Sequence, residues 1–295
     1  MRVPSVLAVL SVAGLVLGAC SGGSGSSQGS PATQQSAVAA STTTSTLAPT
    51  LDSPAAVAGA LTQVERGLRA VSDPNPATLG TAQQRAYETL VAHPEWRTAA
   101  LALIPADIAS AVTSNLDAGV SLDALTSTGP AATTLPSWTI RAPQPEATLL
   151  ADYHAAEAAS GVPWAYLAGI HLIESRLGRI MGPSNAGAQG PMQFEPSTWA
   201  EYGQGTNIDD DHDAILAAGR FLAAHGGAAN ISRALLSYNN DSRYVRAVTD
   251  YATVLLAAPA AYDGYYEWQV EFQTASGTFV LPVGYPTQPA LRIGG

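Results

Sequence analysis

The sequence predicts a mainly α-helical protein that ends in a short β-hairpin. Apolar residues recur at helical spacing over residues 57–71 and again over 163–174, while residues 268–273 alternate between apolar and polar side chains. Helical spacing is typical of amphipathic helices, and strict alternation is typical of a half-buried strand. We therefore expect helices along most of the chain and a hairpin near its C-terminus.

Composition excludes several classes of protein. A chain of 295 residues is long enough for one or two domains, and its 46% of hydrophobic residues excludes wholesale disorder. The formal net charge is −10, and all 13 basic residues are Arg, since the sequence contains no Lys. Such a chain lacks the basic surface that binds nucleic acid, and charge alone would not attract it to an anionic membrane.

The N-terminus predicts an export signal. Arg2 precedes an apolar run over residues 6–17, which is too short to span a membrane but suits a signal peptide. Small residues lead into Cys20, the single cysteine, and Ser and Gly follow it. This arrangement resembles a bacterial lipoprotein signal, which implies cleavage after residues 1–19, lipid on Cys20 and a lipid anchor in the cell envelope. The alternative is an ordinary secretory signal with a chance cysteine.

Two linkers and a helical module are expected before the informative region. Residues 20–50 are rich in Ser, Thr and Gly and predict a flexible tether. Residues 51–125 predict a module of three helices, the first ended by Asp73-Pro74-Asn75-Pro76 and the third begun by Pro105. Its expected role is to support or orient the next domain. Residues 126–145, rich in Thr and Pro, predict a second linker.

Glu174 is the residue that stands out chemically. Leu167, Ile170 and Glu174 fall on one face of the helix that follows Pro163. A carboxylate on an apolar face is costly unless it is paired or kept protonated. Either Glu174 is neutralised by Arg176 or Arg179, or it is a functional acid.

Three motifs occur in order around this residue. They are the pair Glu174-Ser175, the loop Gly187-Ala188-Gln189-Gly190-Pro191-Met192-Gln193-Phe194, and the helix end Ala234-Leu235-Leu236-Ser237-Tyr238-Asn239-Asn240. Together they resemble the lytic transglycosylases of the soluble type, whose lysozyme-like domain carries a Glu-Ser pair, a Gly-x-Met-Gln loop and an Ala-Tyr-Asn motif. The resemblance covers residues 146–258. Three positions depart from the family pattern: Pro191, Glu195 and Ser237.

The resemblance implies a catalytic acid and a set of residues that line the glycan cleft. Glu174 matches the acid, and the substrate-binding positions are Ser175, Met192, Gln193, Tyr238 and Asn239. The implied substrate is the peptidoglycan glycan strand, cut between N-acetylmuramic acid and N-acetylglucosamine without water, to leave a 1,6-anhydromuramic end. One carboxylate then serves as acid and base, whereas most glycosidases need two. No cofactor is implied.

Two other functions stay open. A hydrolase of the goose-type lysozyme kind would use a second acid, such as Glu195 or Asp211, to activate water. A scaffold with a lapsed cleft would bind the wall without cutting it, although a binder has no use for a buried acid.

The acidic run over residues 209–213 is predicted to bind no metal. As a calcium loop it fails, because Ala214 stands where Gly is needed and Arg220 where a bidentate Glu is needed. We expect Asp211 or Asp213 to cap the following helix instead. His171, one turn before Glu174, is expected to pack rather than to act.

The C-terminal region, residues 259–295, predicts a hairpin with its turn at Thr274-Ala275-Ser276-Gly277. Trp268, Val270 and Phe272 are the apolar face of its first strand. The tyrosines over 262–266 either form an aromatic platform for sugars or pack against the helices, and packing is the simpler expectation.

Overall fold

The structure is a computed structural model, and it describes residues 50–70, 75–127, 129–184 and 186–293. The predicted signal peptide, Cys20 and the tether to residue 49 lie outside the described residues. Within the described part, no helix combines the length and the apolar character that crossing a bilayer requires.

The prediction of a mainly helical chain is confirmed. The α-helices in the described residues are α1 (Pro54–Arg69), α2 (Pro76–Ala92), α3 (Arg97–Leu101), α4 (Ala109–Thr126), α5 (Glu146–Ser160), α6 (Trp164–Ser175), α7 (Pro196–Tyr202), α8 (Asp211–Ala224), α9 (Ile231–Tyr238), α10 (Ser242–Ala257) and α11 (Ala261–Tyr266). The strands are β1 (Thr139–Ile140), β2 (Ile180–Met181), β3 (Glu271–Thr274), β4 (Gly277–Val280) and β5 (Leu291–Ile293).

Five of the α-helices in the described residues begin at a side-chain cap, and two helix starts depart from the predictions. Helix α8 is capped by Asp210, whose Oδ1 accepts from the backbone N–H of Asp213 at 3.1 Å, so the prediction that Asp211 or Asp213 caps it is wrong. Pro105 does not begin the third helix of the module. It lies in a turn in which its carbonyl accepts from Ile108 N at 3.2 Å, and α4 begins only at Ala109, after the unpredicted short α3.

One hydrophobic core joins the helical module to the later helices. Helix α4 packs along α10, α6 also packs on α10, and α5 packs on α8. Buried side chains from both parts contribute to the same cluster, among them Leu61, Leu90, Val112, Leu167 and Val248. The module therefore shares one core with α6 and α10, in addition to its connection to them along the chain.

The predicted linker over residues 126–145 is in part ordered structure. Thr139 and Ile140 form β1, which pairs antiparallel with β2, and Ile140 is buried. Ile140 belongs to a second, smaller core with Ile180, Val270, Leu281 and Tyr285. The prediction of a plain linker is wrong there, because a buried Ile next to a paired strand segment is an element of the fold.

The C-terminal hairpin is confirmed and is larger than predicted. Strands β3 and β4 pair antiparallel in the register Glu271↔Val280 and Thr274↔Gly277, and the unpredicted β5 adds to β4. The predicted orientation of β3 is only partly right, because Glu271 is 5% exposed and points inward. Tyr262 and Tyr265 are buried on α11, so the aromatic-platform interpretation is wrong for them.

Candidate active site

Glu174 lies in the last turn of a buried helix. Residues 167–175 of α6 are all buried, and Glu174 itself is 5% exposed. Immediately after it the backbone reverses through left-handed conformations at Arg176, Leu177 and Gly178, with φ of 54°, 58° and 74°. This reversal ends α6 and sends the chain away from the helix axis.

The environment of Glu174 favours its protonated form. Burial raises the pKa of this carboxyl from its usual 4.5 to about 7, and the Tyr244 hydroxyl, which donates to Oε1 at 2.7 Å, partly opposes that rise. The Tyr244 bond favours the ionised carboxylate because it is donated to it. Near neutral pH the carboxyl is thus poised between its two forms, as a group that both gives and takes a proton must be.

The proposed neutralisation of Glu174 by a nearby arginine does not occur. Arg179 turns to α11, where its Nη2 donates to the carbonyl of Tyr266 at 2.6 Å. The guanidinium of Arg176 lies 5.4 Å from the centre of the Trp268 ring. No cation contributes to the pKa of Glu174, so the carboxyl is buried without a charge partner in the described part of the chain.

Tyr238 stands beside the acid at the end of α9. Its ring is parallel to that of Tyr244, with centroids 6.4 Å apart and planes inclined by 3°. The charge of Glu174 adds to burial in raising the pKa of Tyr238, which places the phenol close to the carboxyl. The Tyr238 hydroxyl donates to the carbonyl of Met192 at 2.6 Å and so connects α9 to the loop. Asn239 follows directly and is 5% exposed.

The glycine-rich loop is folded tightly under the acid. Gln189 and Phe194 exchange two backbone hydrogen bonds of 2.9 Å, which close the loop on itself. A Cβ on Gly190 would lie 1.9 Å from the carbonyl oxygen of Ile208, and its φ of +72° also favours glycine. Gln193 adopts φ of 49° and donates its side-chain amide to the Gly190 carbonyl at 2.9 Å.

Ser175 ties the helix end to this loop. Its hydroxyl donates to the Pro191 carbonyl at 2.5 Å and accepts from the Gly178 N–H at 2.9 Å. Ser175 and Met192 are both 0% exposed, so their side chains shape the site and are not free to contact a substrate. The six predicted site residues do come together. Gln193 and Tyr238 are partly exposed, and Glu174 and Asn239 are each 5% exposed, so these four side chains retain some accessible surface.

Tyr244 is a site residue that the sequence interpretation missed. The only signal was the helical stripe that it forms with Val248 and Tyr251 on α10, and that stripe by itself indicates a core face. Its role depends on the packing of α10 against α6, two helices separated by several others along the chain.

The rival second acids are not placed beside Glu174. Asp211 is 2% exposed and is held by Arg141, with 2.6 Å between Nη2 and Oδ2. Its Oδ1 lies 3.2 Å from Nε2 of His171, but no hydrogen bond joins these two atoms. His171 bonds the Tyr153 hydroxyl through Nδ1 at 2.8 Å, which is a packing role. No carboxylate contributes to the pKa of Glu174 among the residues that the structure describes.

The acidic run is used within the fold. Besides the Asp210 cap and the Arg141–Asp211 ion pair, Asp213 Oδ2 accepts from the backbone N–H of Asn207 at 3.0 Å. No group of three His, Cys, Asp or Glu side chains with metal-binding geometry occurs in the described ranges.

Comparison with known proteins adds no relative. No family model matches the chain, and neither a curated protein nor a solved structure is significantly similar to it.

Proposed function

We propose that this protein is a lytic transglycosylase that cleaves the β-1,4 bond between N-acetylmuramic acid and N-acetylglucosamine in peptidoglycan. The observation that carries the proposal is the buried Glu174 carboxyl, with a pKa of about 7 and no cation beside it. The motif resemblance supplies the substrate class, and the packing of the three motifs around one carboxyl is consistent with it. Under this proposal residues 146–258 form a lysozyme-like domain.

The proposed reaction uses the same carboxyl twice. Protonated Glu174 donates its proton to the glycosidic oxygen as the bond to C1 of the muramic residue breaks. The resulting carboxylate then accepts the proton of the C6 hydroxyl, whose oxygen bonds to C1 and closes the 1,6-anhydro ring. Glu174 is thereby protonated again, and no water is consumed.

Tyr244 fits the intermediate stage of this cycle. Its hydroxyl donates to Oε1 at 2.7 Å, so it stabilises the carboxylate after the first proton transfer. Without that bond, the carboxylate left after proton donation would be buried with no donor beside it, and forming it would cost more free energy.

The environment of Glu174 favours this reaction over hydrolysis. A hydrolase of the lysozyme kind needs a second carboxylate to activate water or to stabilise the sugar cation. Of the two candidates, Asp211 is held by Arg141, and Glu195 precedes α7 without contributing to the pKa of Glu174. A scaffold without activity would have no use for a buried carboxyl group that has no cation beside it.

The mass of the product tests the proposal. Purified wall glycan is incubated with the protein, and the fragments are weighed. We expect a 1,6-anhydromuramic end, one water lighter than a hydrolysed end. A reducing muramic end would establish the hydrolase, and glycan binding without any cleavage would establish the scaffold.

Location follows from the N-terminal resemblance and is also a proposal. Lipid on Cys20 would hold the protein at the membrane of the cell envelope, and residues 20–50 would let the enzyme reach glycan strands of the wall.

A further inference from the structure

A separate pocket lies behind the active-site helix, between the helical module and α6. It has a volume of about 70 Å³ and is walled by α2, α4, α6, α10 and Trp268. Most of its wall is apolar, from side chains such as Val91, Leu122 and Ile173. This space holds several water-sized groups or a ligand of a few heavy atoms.

One wall of the pocket carries an arginine whose hydrogen bonding is incomplete. Arg176 is 4% exposed, and its Nε is buried without a hydrogen-bond partner among the described residues. Burial lowers the pKa of the guanidinium, and Tyr251, Glu88 and Glu271 oppose that shift without bonding to it. A buried donor on a charged group that is left unbonded costs free energy, so this site is incomplete as it stands.

The walls formed by α2 and α4 carry two carboxyl groups. Glu88, on α2, accepts from the Gln84 amide at 2.9 Å and shares a hydrogen bond with Glu271, while burial raises the pKa of Glu88 well above its usual range. Asp123, on α4, is half-buried and has its pKa raised by burial, with Ser127 as a hydrogen-bond donor at 3.1 Å. Neither carboxyl forms an ion pair with Arg176 among the described residues.

A buried guanidinium and two carboxyl groups therefore line one small cavity, and no ion pair joins the guanidinium to either carboxyl in the described part of the chain. We propose that this pocket binds a small zwitterion, such as a free amino acid, whose carboxylate contacts Arg176 and whose ammonium group contacts Glu88 and Asp123. Such a ligand supplies the acceptor that Nε lacks, and its ammonium group would favour the ionised form of the two carboxyl groups. The apolar wall accommodates a short aliphatic side chain. A simple anion or a simple cation would satisfy only one of the two sides.

Calorimetry with three probes tests this without any assay of glycan cleavage. The protein is titrated with alanine, with acetate and with methylammonium. Acetate carries only the carboxylate of alanine, and methylammonium carries only its ammonium group. We expect saturable binding of alanine, and binding at least roughly tenfold weaker for either half, because each half forgoes a charge-assisted contact. No saturable binding of alanine, or equal binding of acetate, overturns the proposal.

Variants locate the binding in this pocket. Arg176→Gln and Glu88→Gln should each weaken alanine binding roughly tenfold or more, while Arg233→Gln, a matched change at an exposed arginine, should leave it unaltered. If Arg176→Gln fails to fold, Arg176→Lys takes its place because it keeps the charge. We expect it to weaken binding as well, since Nε is lost. Parental affinity in Glu88→Gln, with circular dichroism unchanged, would place the ligand elsewhere and overturn the assignment.

Discussion

The hydroxyl of Tyr244 donates a hydrogen bond to Oε1 of Glu174 at 2.7 Å, within a site where both side chains are buried. The two residues lie on α10 and α6, so the bond depends on how these helices pack. Burial raises the pKa of Glu174 and the Tyr244 bond lowers it, and the balance of the two leaves that pKa at about 7. The pKa of the proposed acid thus depends first on the burial of α6 and then on this one contact with α10.

Replacing Tyr244 by Phe should raise the pKa of Glu174 further. The Tyr244 hydroxyl stabilises the ionised carboxyl, and Phe has no such donor, so Glu174 stays protonated to higher pH in the variant. We expect the basic limb of the activity–pH profile to move upward, and the protein to lose about 1–3 kcal/mol of stability through an unsatisfied buried acceptor. Tyr251→Phe, on the same helix, is the matched control and should leave the limb in place. An unchanged limb in Tyr244→Phe would mean that Glu174 is not the group that titrates.

Replacing Glu174 by Gln should abolish cleavage while the fold is kept. General acid–base catalysis contributes about 10²–10⁴-fold, and here one residue is proposed to supply both steps. The measurement is turnover of wall glycan, accompanied by glycan binding, which should persist. Full activity of this variant would refute the mechanism whatever the product.

The same substitution should also change how stability depends on pH. The pKa of Glu174 is about 7 in the folded protein and near 4.5 in an unfolded chain. The contribution of this carboxyl to the free energy of unfolding is therefore fully present below pH 4.5 and is lost as the pH rises through 7. Gln cannot ionise. Urea unfolding of the two proteins should therefore diverge between these values, with Glu174→Gln more stable by on the order of 3 kcal/mol above pH 7. A stability difference that does not vary with pH would show that the carboxyl is not buried as described.

Two glycines of the loop should respond differently to Ala. At Gly190 a Cβ would meet the Ile208 carbonyl at 1.9 Å, whereas at Gly187 it would meet nothing within 4 Å. Both have positive φ, so both variants carry a strain of about 1 kcal/mol, and only Gly190→Ala must also displace backbone. We expect Gly190→Ala to lose several degrees of melting temperature and much of its activity, and Gly187→Ala to lose little of either. Equal effects would show that the close approach to Ile208 does not shape the loop.

Removal of divalent metal should leave the protein unchanged. The side chains of Asp210, Asp211 and Asp213 are already engaged in a helix cap, an ion pair with Arg141 and a backbone contact. Dialysis against a chelator is therefore expected to alter neither melting temperature nor activity. A loss of either that calcium restores would contradict this.

Replacement of Cys20 by Ala tests the anchor. The short apolar run that ends in small residues before Cys20 predicts lipidation. In cells, Cys20→Ala should move the protein from the membrane fraction to the soluble fraction or leave it unprocessed. If the variant matures and fractionates like the parent, the lipoprotein interpretation is wrong.

Local sequence patterns determined much of this molecule. The helical spacing over residues 57–71 and after Pro163, and the alternation before the turn at 274–277, each correspond to an observed element. The apolar face of α6 likewise determined that Glu174 would be buried. Such features depend on residues within a few positions of one another, since side-chain period and capping chemistry are local.

Partners across the fold were decided only by the tertiary structure. Tyr244 lies 70 positions from Glu174, and Asp211 lies 70 positions from Arg141. Nothing in the spacing of these residues specifies which helices will pack together, and a buried carboxylate must take whichever donor or cation that packing brings near. For the same reason the sequence could place Glu174 on a buried face but could not tell whether Arg176, Arg179 or a tyrosine would stand beside it.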